Sequence, residues 1–320
     1  MLKRLLGWAA KTLAVLILLF CGLAAWGGAR SLFVPAPPLR GEMVDVGGRR
    51  LRVVCEGPRS ERPLVLLESG IWGFASDWGA VQPRLAARGW RSCAYDRAGL
   101  GFSDPGPLPR DGRRVIDDLD AWLKAKGETG PYLLVGHSMA GLHTRLFAAR
   151  HPEAVRGLVL VDAVSPELAR PRSSGFFRAF RGFAKAGDFL ARFGVFKPFD
   201  GLADQIGLDG PAHDEKRFFF GRVAHNRWAA AEALSAMAAG DQARAARPLD
   251  PNIPVAVITE GPREIADSDW GRGRAAAAAR SRHGSVENIE NATHASLLGR
   301  DHAKVIVRAV ERVAAAAGVR

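Results

Sequence analysis

The sequence predicts an α/β protein: a mostly parallel sheet of eight strands with helices on both faces, a helical cap inserted late in the chain, and an apolar helix in front. Three observations predict it. From residue 43 onward, short β-branched or Leu-rich runs alternate with helical patterns of period 3.6, the mark of a parallel sheet covered on both faces. Between about residues 165 and 249 no convincing strand occurs and Phe-bearing helical patterns take over; a structureless connection of that length does not suit a compact domain. The chain opens with residues 12–29, which carry no charge.

Composition limits the alternatives. A chain of 320 residues that is 48% hydrophobic and 24% charged can bury one large core. With 36 Gly, 19 Pro and no low-complexity tract, it is not a collagen, a coiled coil or a mainly disordered chain, and 3 Cys are too few for a disulfide-stapled miniprotein. The net charge of +12 invites a nucleic-acid reading. The basic residues are scattered, however, and no zinc-finger or aromatic RNA-binding signature accompanies them, so no nucleic-acid partner is expected.

Residues 12–29 form about 27 Å of helix, near the lower limit for crossing a bilayer. Lys3, Arg4 and Lys11 precede them without an acid, which keeps the amino terminus cytoplasmic and the body outside. A cleaved secretory signal with a small-residue site at Gly27-Gly28-Ala29 is the rival; the length of the apolar run favours a retained anchor. Residues 1–34 are therefore read as anchor or signal. Residues 35–41, with Pro35-Ala36-Pro37-Pro38, form an extended linker. The body occupies residues 42–318 and is placed outside the cytoplasm, membrane-bound or secreted.

Strands are expected at residues 43–46, 50–55, 64–67, 92–95, 132–135, 158–161, 255–259 and 286–289, and helices at 77–88, 113–126, 139–150 and 303–317. Cys55 and Cys93 fall in two of the strands. In an oxidising compartment they either pair or remain two buried thiols, and the sequence leaves both open because it does not show their Cα separation.

The sharpest local signal is Tyr132-Leu133-Leu134-Val135-Gly136-His137-Ser138-Met139-Ala140-Gly141, a strand running into a helix with a serine at the corner. It resembles the nucleophile elbow of the α/β-hydrolase family, a G-x-S-x-G turn so sharp that small residues must flank it. Ala140 stands where the pattern has glycine. The resemblance covers about residues 42–318, with the cap at about 165–249 its least matched part. It implies a serine nucleophile at Ser138, and a serine there argues against the relatives that use aspartate, the haloalkane dehalogenases and epoxide hydrolases.

A serine hydroxyl needs a base and a group to orient that base. Of 8 His, His294 follows the last expected strand and precedes the final helix, where the family carries its triad histidine. His137 belongs to the buried turn and is expected to point away from the hydroxyl. Two loops offer an acid: Asp162 ends the strand before the cap, whereas Asp267 or Asp269 lies in the loop after residues 255–259, where most relatives place it. Asp162 is preferred, since Asp269 reads as a helix start.

Acyl transfer also needs donors for an oxyanion. By resemblance, one is the Met139 amide and the other the Ile71 amide in Ser69-Gly70-Ile71, where many relatives read His-Gly-x. Asp96 and Arg97 brace the turn after the fourth strand of the family pattern. No metal and no organic cofactor is expected, there being no HExxH, CxxC or phosphate-cradling motif. The expected activity is that of a serine hydrolase, carboxylesterase- or lipase-like, working through an acyl-enzyme. Trp72, Phe74 and Trp78 beside the oxyanion loop, with the Phe of the cap, suit a small apolar acyl substrate, although Phe at helical spacing also simply packs a cap. A perhydrolase or carbon–carbon hydrolase with the same triad, and a silent binding protein on the scaffold, are the alternatives.

Overall fold

The computed structural model describes residues 1–169 and 175–319. The eight strands are β1 (Glu42–Asp45), β2 (Arg50–Glu56), β3 (Leu64–Glu68), β4 (Ser92–Tyr95), β5 (Tyr132–His137), β6 (Val155–Val161), β7 (Val255–Glu260) and β8 (Gly284–Ile289). They form one sheet in the order β1-β2-β4-β3-β5-β6-β7-β8. The pairs β1/β2 and β2/β4 are antiparallel and all others parallel. The central strands read as apolar runs because both faces are covered: β3 and β5 are buried along their whole length.

The helices are α1 (Leu2–Phe33), α2 (Gln82–Ala86), α3 (Gly112–Ala125), α4 (Ala140–Arg150), α5 (Gly175–Ala191), α6 (Gly210–Phe220), α7 (Val223–Ala245), α8 (Arg263–Ala266), α9 (Asp269–Arg280) and α10 (Ala303–Ala316). One core lies between the sheet, α2 and α10, around Val135, Val159, Ile258 and Ile306; the other holds Trp122, Leu134, Phe147 and Leu158 on the opposite face. The helix expected at 77–88 is instead a 3₁₀ turn, Ala75–Trp78, followed by the short α2. Pro83 opens α2, and a proline suits the first turn of a helix but not its interior.

β6 and β7 are consecutive in the chain apart from the insertion, which comprises α5, a 3₁₀ stretch (Lys197–Ile206), α6 and α7. Residues 170–174 of the expected cap lie outside the described residues. The cap is tied to the sheet by ion pairs: Glu215 of α6 takes Arg52 at 2.7 Å and Arg40 at 3.0 Å. Cys55 and Cys93 face each other across β2 and β4, with Cα atoms 4.1 Å apart, and are bridged, so the pairing left open above is made.

α1 is apolar enough and long enough to cross a membrane, and only 6% of its most apolar stretch is buried. It runs on past the uncharged stretch to Phe33.

Candidate active site

β5 ends at His137 and α4 begins at Ala140, leaving Ser138 and Met139 to reverse the chain. Ser138 has φ +57°, a left-handed conformation that a serine adopts only where the surroundings impose it. The imposition is visible. The Ser138 amide donates to the Val161 carbonyl at 3.1 Å, and the Ser138 carbonyl accepts from the amides of Gly141 (3.1 Å) and Val164 (2.8 Å). A Cβ at Gly136 would lie 2.7 Å from the Thr144 methyl, and one at Gly141 would lie 2.5 Å from the Val164 carbonyl oxygen. Ala140 is fully buried and its methyl is accommodated; Gly141, one residue later, is the position that tolerates nothing larger.

His294 sits between β8 and the 3₁₀ turn Ser296–Leu298. Its Nδ1 is 2.5 Å from Oδ2 of Asp162, which caps the carboxyl end of β6 and itself has φ +43°. The imidazole is half exposed, whereas the Asp162 carboxylate is 5% exposed. The other oxygen of Asp162 pairs with Arg274 of α9. Burial alone would raise the Asp162 carboxyl, but the His294 hydrogen bond and charge and the Arg274 guanidinium outweigh it and hold the group below the ordinary carboxylate range. A proton on Nδ1 shared with Asp162 leaves Nε2 of His294 as the free acceptor. Asp267 and Asp269 are exposed, and Asp269 pairs with Arg272 in its own helix; neither bonds to His294 among the described residues.

The loop after β3 comes up against the serine. A Cβ on Gly70 would lie 2.7 Å from Ser138 Cβ and 3.3 Å from its Oγ, so only glycine lets the loop approach. Among the described residues, neither the Ile71 nor the Met139 amide donates to any protein acceptor. Two main-chain donors, one in the loop that approaches Ser138 and one directly after it in the chain, thus stand unused.

That loop is held from behind. Ser69, where many relatives carry His, donates its Oγ to the Phe74 carbonyl (3.1 Å) and accepts from Trp78 Nε1 (2.9 Å). Arg97 donates to the carbonyls of Ser69 (2.6 Å) and Gly70 (2.8 Å) and pairs with Glu68 (2.7 Å) and Glu232 of α7 (2.8 Å). Burial opposes the Arg97 charge, yet the two carboxylates more than offset it. Arg97 therefore braces the Ser69-Gly70 backbone and the cap together. Asp96 braces its own turn, accepting from the amides of Ala75 and Phe102, each at 2.9 Å.

Three residues around the site were invisible as partners in the sequence: Arg274, Lys216 and His225. The carbonyl of Trp72, whose φ is +60°, accepts from Lys216 Nζ at 3.1 Å and His225 Nε2 at 3.3 Å. His137 is buried, as a residue of the turn is expected to be; its ring packs on that of His294 with centroids 4.5 Å apart, and Nε2 donates to the His294 carbonyl at 2.9 Å. Among the described residues no cluster of His, Cys, Asp or Glu is arranged to hold a metal.

Burial, reinforced by nearby positive groups, lowers both His137 and His225 to about 3. Each is neutral when folded and protonates from 6.5 downward when unfolded. Stability is therefore full above pH 6.5 and falls on acidification toward 3, by about 1.4 kcal/mol per pH unit for each histidine. Denaturant midpoints at pH 7, 6 and 5 are expected to drop for the wild type and to drop less steeply for His225→Gln.

An eight-stranded, mostly parallel sheet, an elbow after β5 and a histidine after β8 define one architecture. A family profile described as alpha/beta hydrolase fold matches residues 63–193. The chain has the α/β-hydrolase fold. Among solved structures, this chain resembles a thermophilic esterase from Thermogutta terrifontis, with a TM-score of 0.62 and 20% identity over 85% of this chain and 98% of that one. It is 35% identical over 136 residues to the probable transporter efuK of Hormonema carpetanum, a match covering 41% of this chain and 19% of that protein. It is 34% identical over 122 residues to the putative carbamate hydrolase RutD of Klebsiella pneumoniae, covering 37% of this chain and 45% of the relative. The chain thus spans less than half the length of these curated relatives.

Proposed function

We propose that the protein is a serine hydrolase that cleaves an apolar carboxylic ester or related acyl substrate through an acyl-enzyme. The observation that carries this reading is the hydrogen bond between His294 and a buried, ionised Asp162, with Ser138 raised on its elbow beside His137 and the Gly70 loop. In the mechanism Ser138 Oγ attacks the carbonyl carbon and His294 Nε2 takes its proton. Asp162 holds the imidazole in the required tautomer and offsets the imidazolium charge. The amides of Ile71 and Met139 receive the oxyanion. His294 then returns the proton to the leaving group, and water repeats the sequence on the acyl-serine. Similarity to an esterase structure and to a putative carbamate hydrolase supports the hydrolase class.

The apolar character of the substrate rests on the residue after the Ser69-Gly70-Ile71 loop, Trp72, which meets Phe183 with ring centroids 6.1 Å apart. Buried Phe218 and Phe219, by contrast, pack the cap onto Phe74 and Leu100. In the membrane reading, α1 is a retained anchor with the hydrolase body outside the cytoplasm. The Cys55–Cys93 bridge supports that placement, because such bridges persist in oxidising compartments.

The test is a series of p-nitrophenyl esters of increasing acyl length with the full chain in detergent. The expected result is hydrolysis that rises from acetyl to medium-length acyl groups; activity on diketones with none on any ester would contradict the reading. Gly70→Ala is expected to lower kcat on these esters by about 10²-fold, the scale on which an oxyanion-hole donor matters, since the new methyl displaces the loop that carries the Ile71 amide.

A further inference from the structure

α5 has three faces rather than two. Ala184, Gly187 and Ala191 are buried against the cap, while Arg181, Lys185, Asp188 and Arg192 form a polar face. The remaining face carries Phe183, Ala186, Phe189 and Leu190 and continues to Phe193, spacings of three and four residues that align on one side of a helix. That third face is apolar and uncovered: Phe183 is 62%, Phe189 58% and Phe193 43% exposed. Phe199 and Leu202, just beyond, are also exposed. Exposing so many large apolar groups together marks a surface that something covers.

Both ends of this face lead somewhere. At one end Phe193 packs edge-on against Phe20 of α1 with centroids 5.1 Å apart, and Phe189 packs on Phe193 at 5.2 Å. Next to it, α1 and the Gly194 backbone approach so closely that a Cβ on Gly27 would lie 2.1 Å from the Gly194 carbonyl oxygen. Phe20 and Gly27 belong to the second half of the apolar Lys3–Ala29 stretch of α1, so this end of the face lies level with apolar helix that is itself largely uncovered. At the other end Phe183 meets Trp72, one residue past the Ser69-Gly70-Ile71 loop.

We propose that the Phe183–Phe193 face of α5 seats in the interfacial layer of the same membrane that α1 spans, so that the Trp72 side of the site faces lipid. The proposal rests on the membrane reading of α1 above. Continuity with α1 selects lipid as the occupant, and the adjoining Arg181, Lys185 and Arg192 suit anionic headgroups. An acyl substrate dissolved in the bilayer then reaches Ser138 along an aromatic path without crossing water.

The test uses the full chain in vesicles of phosphatidylcholine and phosphatidylglycerol at 3:1, with and without doxyl-labelled lipid. An environment-sensitive fluorophore is attached to native Cys21, which is free and exposed, or, in a Cys21→Ser background, to Phe189→Cys or Lys185→Cys. Blue-shifted emission quenched by the doxyl lipid at 21 and at 189, and at least twofold weaker quenching at 185, is the expected result. A water-like signal at 189 while 21 reads lipid overturns the seat alone; a water-like signal at 21 overturns the membrane span. A blue shift at 189 that doxyl lipid does not quench means a protein neighbour, such as a second copy, and also overturns it. No turnover is read, so these outcomes are independent of ester hydrolysis.

Discussion

Ser138→Ala is expected to lower kcat on the preferred p-nitrophenyl ester by about 10⁶-fold, leaving only what binding and the oxyanion donors contribute. His294→Ala is expected to cost nearly as much, and the double variant hardly more, because nucleophile and base act as one unit. The fold should survive both changes. Ser138 is held by its backbone, through bonds to Val161, Gly141 and Val164, and His294 is half exposed. Thermal midpoints near that of the wild type, measured beside turnover, would show that the loss is chemical. A Ser138→Ala protein with more than a hundredth of wild-type kcat would contradict the assignment.

Asp162→Asn is the second large effect. The amide keeps the shape but presents either a donor to His294 Nδ1 or a neutral acceptor, so the imidazole loses the partner that fixes its tautomer and offsets its charge; kcat is expected to fall by about 10⁴-fold. Removing the carboxylate also takes from buried Arg274 its close ionic partner, leaving Glu260 at 3.9 Å and a neutral amide, which is expected to lower stability by about 2 kcal/mol. Asp267→Asn and Asp269→Asn should change kcat less than twofold, since both side chains are exposed and away from the histidine. Equal losses from Asp162→Asn and Asp267→Asn would contradict the geometry.

The parts legible in the sequence were those set by local pattern. Alternating apolar runs and helices marked the eight strands, and Gly136, Ser138 and Gly141 marked the elbow because strand and helix touch there whatever else the chain does. The place of His294, after the last strand and before the last helix, was legible for the same reason. What the sequence hid was tertiary. Arg274 meets Asp162 from 112 residues away, and Arg97 meets Glu232 from 135; no spacing rule links such positions. The contact of the His137 ring with His294, which the reversal of β5 into α4 allows, is likewise tertiary. The split of residues 77–88 into a 3₁₀ turn and a short helix follows from Pro83, which sits in the first turn of α2, where a proline starts a helix but cannot continue one.

The family pattern usually sets the acid after the strand that here is β7. In this chain the carboxylate stands one strand earlier, and the segment after β7 sends Arg274 back to hold it. Glu260 at the end of β7 is also close to Arg274, at 3.9 Å, but makes no bond to His294 among the described residues. The same carboxylate–imidazole pairing is thus built from a different loop, with a guanidinium restraining the carboxylate from the far side.

The central claim is that Ser138 is a nucleophile activated by His294, and covalent trapping tests it most directly. The full chain in detergent is treated with a fluorophosphonate, digested and read by mass spectrometry. One adduct on the peptide containing Ser138, absent from Ser138→Ala and slowed by orders of magnitude in His294→Ala, is the predicted result. Folded wild-type protein that takes up no reagent, or takes it up on another serine, would contradict the account.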